Sequence, residues 1–192
     1  MLRVRLVGEL GIEADGERLE PPAPAKAQAL LAWLALHPGA HSRSEVAGTF
    51  WPAVREESAR ASLRTALSAL RRSLGDAADE HLVATREAVG LHDAWVDALA
   101  FEKLVAEGRP EDALALGEGE LLPSLGDEWA RDARDRQRRG RAEVLAEVAE
   151  RAADPAEAVR LARARLALDP LSEEAARELI ERLVAAGDRA GA

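Results

Sequence analysis

Leu63, Leu67, Leu70 and Leu74 recur at steps of 4, 3 and 4. That spacing lines one side of an α-helix and fits no strand. The stretch that holds them, Ser58–Leu74, carries four arginines and no acidic residue, inside a chain whose formal net charge is -9. A basic amphipathic helix must bury its leucines against neighbouring elements and leave its arginines outward. The rest of the core has few aromatics to draw on, since aromatic residues make up 3% of the chain and tyrosine is absent. Leu, Ala and Val must fill it, which favours helices.

Composition excludes several classes. The absence of cysteine removes disulfides, zinc–thiolate sites and cysteine nucleophiles. The start, MLRVRLVGEL, alternates and is too short for a signal peptide, and no run of 18 apolar residues would span a membrane. A cytoplasmic protein with no membrane partner is expected. His37, His41, His81 and His92 share no metal-ligand spacing, and Gly117-Glu118-Gly119 lacks the strand, third glycine and helix of a phosphate cradle. No carboxylate pair stands out from a solvated background. The sequence therefore implies no enzyme, no metal and no cofactor. Residues 1–97 carry a net -3 and residues 98–192 a net -6. Neither half is a broadly basic nucleic-acid footprint, so any binding to DNA must come from local clusters.

Along the chain, Leu2–Leu10 alternates and Asp15-Gly16 marks a hairpin, giving a small antiparallel sheet over residues 2–20. Pro21, Pro22 and Pro24 end it. Ala25–Leu36 reads as a helix with Leu30, Leu31, Trp33 and Leu34 inward, stopped by His37-Pro38-Gly39. Ser42 with Glu45 forms a capping box for a short helix from Arg43 to about Trp51, closed by Pro52. A loop over Ala53–Glu57 leads to the basic helix, capped by Ser58 or a neighbouring acid and ended by Gly75. Two helices, a connector and a longer basic helix are the helix-turn-helix plan. Val83–Arg86 and Val89–Leu91, around Glu87-Ala88, would supply a hairpin wing. After Asp97 only helices are expected, at Ala98–Glu107, Pro110–Leu116, Trp129–Ala152, Pro155–Leu168 and Ser172–Ala186, with a loop over Gly117–Gly126. The helix-start phrases at Asp154-Pro155 and Gly187-Asp188-Arg189-Ala190 stand 34 residues apart, a tetratricopeptide period.

These pieces, in this order, resemble the SARP family of transcriptional regulators. The matching stretches are LRVRLVGELGIEADGERLEPP, PAKAQALLAWLALHPG, SRSEVAGTFWP, SARASLRTALSALRRSLG, VATREAVGLH and VDALAFEKLV. In the second half they are GELLPSLGDEWARDARDRQRR and LARARLALDPLSEEAARELIERLVAAGDRAGA. The resemblance implies a mainly α fold with a small β component. A winged helix-turn-helix DNA-binding domain of the response-regulator effector type would occupy residues 1–95. An all-α, tetratricopeptide-like bacterial transcriptional activator domain would follow over 96–192, shorter at its C-terminus than is usual for the family. It implies binding to promoter DNA and recruitment of RNA polymerase. Two departures stand out. At positions matching family DNA contacts, Ala61, Arg64, Ala66 and Ala69, three of the four are alanine, and the usual wing Gly-Tyr-Arg-Leu is Ala88-Val89-Gly90-Leu91 here.

The candidate DNA contacts are Arg60, Arg64, Thr65, Ser68, Arg71 and Arg72 on the basic helix, Arg86 on the wing, and Arg43 and Trp51 on the preceding helix. Taking the leucines as the buried side, the outward face carries Ala61, Thr65, Ser68, Ala69 and Arg72. Arg64 then lies on its shoulder, and Arg60 and Arg71 lie nearer the core. Arginine reads guanine or grips phosphate, and the hydroxyls reach phosphate or either base type. The competing reading is a solvated helix whose arginines pair with Glu56, Glu57 and Asp76. Arg86 either enters a minor groove or is a plain surface residue. Trp51 either touches phosphate or fills the core. The run Arg131–Arg141 reads as an exposed helix face partly neutralised by Asp132 and Asp135. The expected function is a DNA-binding transcriptional regulator, an activator whose helical domain contacts itself, as a homodimer, or RNA polymerase. The alternative is an interaction module of the same fold that has lost DNA binding.

Overall fold

Two residues with left-handed backbone, Asp15 at φ 51° and Gly16 at φ 87°, turn the chain between β2 (Gly11–Ala14) and β3 (Glu17–Leu19). This is the two-residue hairpin that Asp-Gly favours, because its twist matches that of the flanking strands. The structure is a computed structural model that describes residues 1–188 and 191. β1 (Leu2–Arg5) pairs antiparallel with β2, placing Val4 opposite Ile12. A fourth strand, β7 (Ala94–Val96), lies parallel to β1 on its other edge, so the sheet order is β3-β2-β1-β7. Leu2, Val4, Leu6 and Ile12 form its buried face. β7 was not expected, since three residues are too few to show a period.

By internal contacts the chain divides into two units, Met1–Ala100 with Gly119–Arg131, and Phe101–Glu118 with Asp132–Ala192. No single cut in sequence separates them. In the first unit, α1 (Ala25–Leu36), α2 (Arg43–Phe50), α3 (Glu56–Leu74) and the short α4 (Ala77–His81) follow the first hairpin. α1, α2 and α4 all pack on α3. A second sheet joins β4 (Gly39–Ser42), β6 (Ala88–Leu91) and β5 (Leu82–Ala84), all antiparallel, in that order. The hairpin is thus a wing widened by a strand between α1 and α2. Neither β4 nor α4 was expected.

Residues 119–131 return to the first unit as a strap. Gly8 N–H donates to Glu120 O and Leu122 N–H donates to Leu6 O, both at 2.8 Å, and Val7 and Leu121 form an antiparallel bridge. Leu121 and Leu122 are buried. Lys26 is ion-paired with Asp127 at 2.6 Å, and Phe50 meets Trp129 with ring centroids 6.0 Å apart.

The second unit is built only of helices among the described residues: the end of α5 (Asp97–Ala106), α6 (Pro110–Ala115), most of α7 (Glu128–Arg151), α8 (Pro155–Leu168) and α9 (Glu173–Ala185). Phe101, Ala113, Val144, Leu145, Val148, Ala149 and Leu161 form its core. Asp154 caps α8 through Ala156 N–H and Ser172 caps α9 through Ala175 N–H. α8 and α9 pack as a hairpin beginning at the Asp154-Pro155 phrase. Of the phrase 34 residues later, Arg189 and Ala190 lie outside the described residues. Helix makes up 59% of the described residues, so the fold is mainly α with a small β component. No helix of the described residues is long and apolar enough to cross a membrane.

Candidate nucleic-acid interface

α3 begins two residues earlier than its basic stretch suggests. Arg55 has the extended backbone of an N-cap but makes no capping hydrogen bond, and Glu56 and Glu57 occupy the first turn. Two acids at the N-terminus and Arg71 and Arg72 in the last turn complement the helix dipole. Ser58 is therefore an exposed residue inside the helix, and neither it nor the neighbouring acids Glu56 and Glu57, the cap candidates in the sequence, holds the N-cap position.

The buried side of α3 is wider than its leucines. Ala59, Ala66 and Ala69 are buried beside Leu63, Leu67, Leu70 and Leu74. Three helices, α1, α2 and α4, pack on this helix. Including the alanines turns the outward arc by about 50° relative to the leucine-only estimate. Three placements change. Ala69, expected outward, lies in the core. Arg60 and Arg71, expected near the core edge, are exposed, and so are Arg64, Thr65, Ser68 and Arg72. Ser68 stands at the middle of the arc, with Arg60, Arg64 and Arg71 to one side and Ala61, Thr65 and Arg72 to the other. Of the alanines at positions matching family contacts, Ala66 and Ala69 are core residues, and Ala61 alone borders the free face.

The arginines of the arc are not equivalent. Arg60 is ion-paired with Glu56 at 2.6 Å, one turn back, and donates to Ser44 Oγ on α2 at 2.8 Å. It ties α2 to α3. The side chains of Arg64, Arg71 and Arg72 make no hydrogen bond or ion pair among the described residues, and neither does that of Arg86. Ser68 donates its hydroxyl to Arg64 O at 2.9 Å and Thr65 to Ala61 O at 3.3 Å, which leaves both oxygens open as acceptors. Three free guanidinium groups around two hydroxyls suit a phosphate backbone with base edges beyond it.

The wing turn lies at Thr85-Arg86-Glu87, two residues earlier than the expected Glu87-Ala88 turn. Arg86 is therefore at the tip and not in a strand. Thr85 Oγ1 accepts from the N–H groups of Glu87 and Ala88, the locally bonded turn that threonine favours. Gly90 sits where the family wing has arginine. A β-carbon there would lie 2.3 Å from Gly39 O, so the added strand β4 leaves no room for a side chain. Arg43, the first residue of α2, donates through Nε to Thr85 O at 2.7 Å. Trp51 closes α2, half-buried, its ring centroid 5.8 Å from that of Phe50.

The Arg131–Arg141 run is not uniformly exposed. Arg141 is buried and donates to Gly117 O at 2.7 Å, and burial lowers its pKa. Arg134 and Arg138 have partners, while Arg136 and Arg139 are exposed. Among the described residues no group of three or more His, Cys, Asp or Glu side chains is placed to hold a metal.

One residue that sequence reading passed over anchors the frame. Asp97 is buried, and its carboxylate accepts from Leu6 N–H at 2.9 Å, Val7 N–H at 3.0 Å and Ala98 N–H at 2.8 Å. It locks the end of β1 to the start of α5. Only its place at the end of β7 marks it, and β7 itself was not foreseen.

No family profile matches the chain, and no curated protein sequence matches it significantly. Among solved structures, the chain superposes on Mycobacterium tuberculosis EmbR in complex with a low-affinity phosphopeptide, with a TM-score of 0.69 and 23% sequence identity. The match covers 99% of this chain and 56% of EmbR, so the chain spans little more than half the length of that protein. The likeness is one of fold: a winged helix-turn-helix with a helical unit, a SARP-like fold.

Proposed function

We propose that this protein is a DNA-binding transcriptional regulator. α3 enters the major groove and Arg86 approaches the neighbouring minor groove. The observation that carries the reading is the arc of α3, where Arg64, Arg71 and Arg72 stand exposed and unpaired among the described residues around Ser68 and Thr65. An acidic chain that leaves three arginines without partners on one helix face presents a local anion-binding surface. The fold supports the same reading, because the EmbR fold is that of a SARP-type transcriptional regulator.

Within that reading, Arg64 and Arg72 grip phosphate or guanine, Ser68 and Thr65 accept from base or water, and Arg71 grips phosphate. Arg60 holds α2 against α3, and Trp51 and Arg43 flank the phosphate strand. The helical unit contacts RNA polymerase or a second copy of the chain, which makes the protein an activator at work in the cytoplasm. The rival reading, an interaction module without DNA binding, draws on the net charge of -9, the departure of the wing from Gly-Tyr-Arg-Leu and, last, the alanines of the basic helix. With Ala66 and Ala69 in the core, that last motive shrinks to Ala61.

The test starts with selection of duplexes from a random-sequence pool, followed by mobility shift at about 50 mM salt and again at higher salt. The wild type should enrich a sequence and lose affinity as salt rises. Arg64→Ala with Arg72→Ala should weaken binding and flatten the salt slope by roughly 0.9 per lost phosphate contact. Unchanged binding by the double variant would remove α3 from the interface.

A further inference from the structure

Arg43 occupies the first position of α2, yet its polar groups point back to the wing. Its backbone N–H donates to Glu87 O at 3.0 Å and its Nε donates to Thr85 O at 2.7 Å. The residue before it, Ser42, is paired with Ala88 across the β4–β6 ladder. The carbonyls on both sides of Arg86 are therefore held by one residue of another element. The turn is closed from within as well. Thr85 N–H donates to Ala88 O at 3.0 Å, and the N–H groups of Glu87 and Ala88 donate to Thr85 Oγ1 at 3.3 and 3.0 Å. Of the three turn residues, Arg86 and Glu87 have side chains with no partner among the described residues, and Arg86 is the one that carries positive charge.

We propose that Arg43 is a positioning residue for the wing: it clamps the Thr85–Glu87 turn to the N-terminus of α2 and so fixes where Arg86 meets DNA. The inference rests on the DNA-binding reading above. Its physical basis is that a carbonyl clamp needs a donor in a set direction. The planar guanidinium provides one through Nε and keeps both Nη groups available. Lysine keeps the charge but offers a single rotatable ammonium, which either satisfies Thr85 O or faces the DNA strand. α2 is in turn bound to α3 through Ser44 and Arg60 at 2.8 Å. The wing tip and the recognition arc are thereby registered through one short helix. The spacing between the groove read by α3 and the groove reached by Arg86 becomes a property of Arg43.

The experiment is a double-mutant cycle in the full chain, with a duplex enriched by the wild type from a random pool. Salt slopes are measured for the wild type, Arg43→Lys, Arg86→Ala and the pair. Arg86→Ala should lower the slope by about 0.9. Arg43→Lys should lower it by a similar amount although its charge is kept, and the pair should show no further loss. A second cycle, Arg43→Lys with Arg64→Ala, should be additive, since Arg64 is not held by the clamp. Arg43→Lys with a wild-type slope, additive losses with Arg86→Ala, or equal coupling to Arg64 would each overturn the inference and leave the DNA-binding reading standing. A wild type that enriches no duplex would overturn both.

Discussion

A single carboxylate does more for the frame of the first unit than any arginine does for its face. Asp97 takes three backbone N–H groups that β1 and α5 would otherwise leave unsatisfied. Removing it in Asp97→Ala should cost about 2–4 kcal/mol, because each buried donor left without a partner costs on the order of 1 kcal/mol or more. Asp97→Asn keeps one acceptor oxygen and should cost less. Burial holds the carboxyl above its ordinary value of 3.8, against the pull of its three N–H donors and of Arg5. Protonation therefore favours the folded state. The protonation-linked part of the stability from Asp97 is fully present below 3.8 and is lost as pH rises through the raised value, while the acceptor role of its oxygens persists. Unfolding free energies measured by urea titration from about pH 3 to pH 7 should show the gap between wild type and Asp97→Asn narrowing as pH rises. A widening gap would contradict the raised value. Gly90 is the other residue whose role is local, since β4 passes too close for any side chain. Its absence of charge reflects strand pairing and implies nothing about a lost DNA contact.

At the scale of elements, α3 decides the packing of the first unit and carries the face proposed for recognition, and its two faces exchange along the alanines. Leucine spacing located the helix and its general orientation. It misplaced the outward face because alanine counts little in a hydrophobic pattern yet is buried here under three helices. Ala69→Arg and Ala61→Arg separate the two faces. The first forces a charge into the core and should lower stability by more than about 2 kcal/mol without any gain in DNA affinity. The second lies at the border of the free arc. It should change stability by no more than about 0.5 kcal/mol while raising DNA affinity and steepening the salt slope by about 0.9. Thermal melts and mobility shifts on both variants check this. The reverse pattern would restore the leucine-only face. The earlier start of α3 has a consequence of its own. It brings Glu56 within one turn of Arg60, so an arginine that reads as a DNA contact in sequence acts first as a brace.

For the whole molecule, the notable fact is that the first unit is discontinuous. Residues 119–131 come back to it through the Val7–Leu121 bridge, the Lys26–Asp127 pair and buried Leu121 and Leu122. A fragment ended near residue 95 would lack this strap, Asp97 and its three hydrogen bonds. Leu121→Ala should therefore destabilise the first unit by about 2–5 kcal/mol, the range for truncating a buried leucine. Hydrogen exchange should report the loss at the amides of residues 2–14 and 25–36. Protection left unchanged there would mean that the strap is not part of the unit's core.

The sequence by itself determined whatever is written in short-range chemistry. The Asp15-Gly16 turn, the Ser42 cap, the leucine spine of α3, the Pro155 and Ser172 helix starts and the mainly α composition all depend on residues within a turn or two. So did the candidate arginines, because a basic helix in an acidic chain is visible from charge alone. Tertiary structure decided what depends on distant neighbours. It supplied the partners of β4 and β7, the depth of Ala66 and Ala69, the bracing of Arg60 and Arg43, and the return of the strap. The physical reason is the same in each case. A three-residue strand, an alanine or a loop glycine has no preference strong enough to declare its place, and acquires one only from the elements that pack against it.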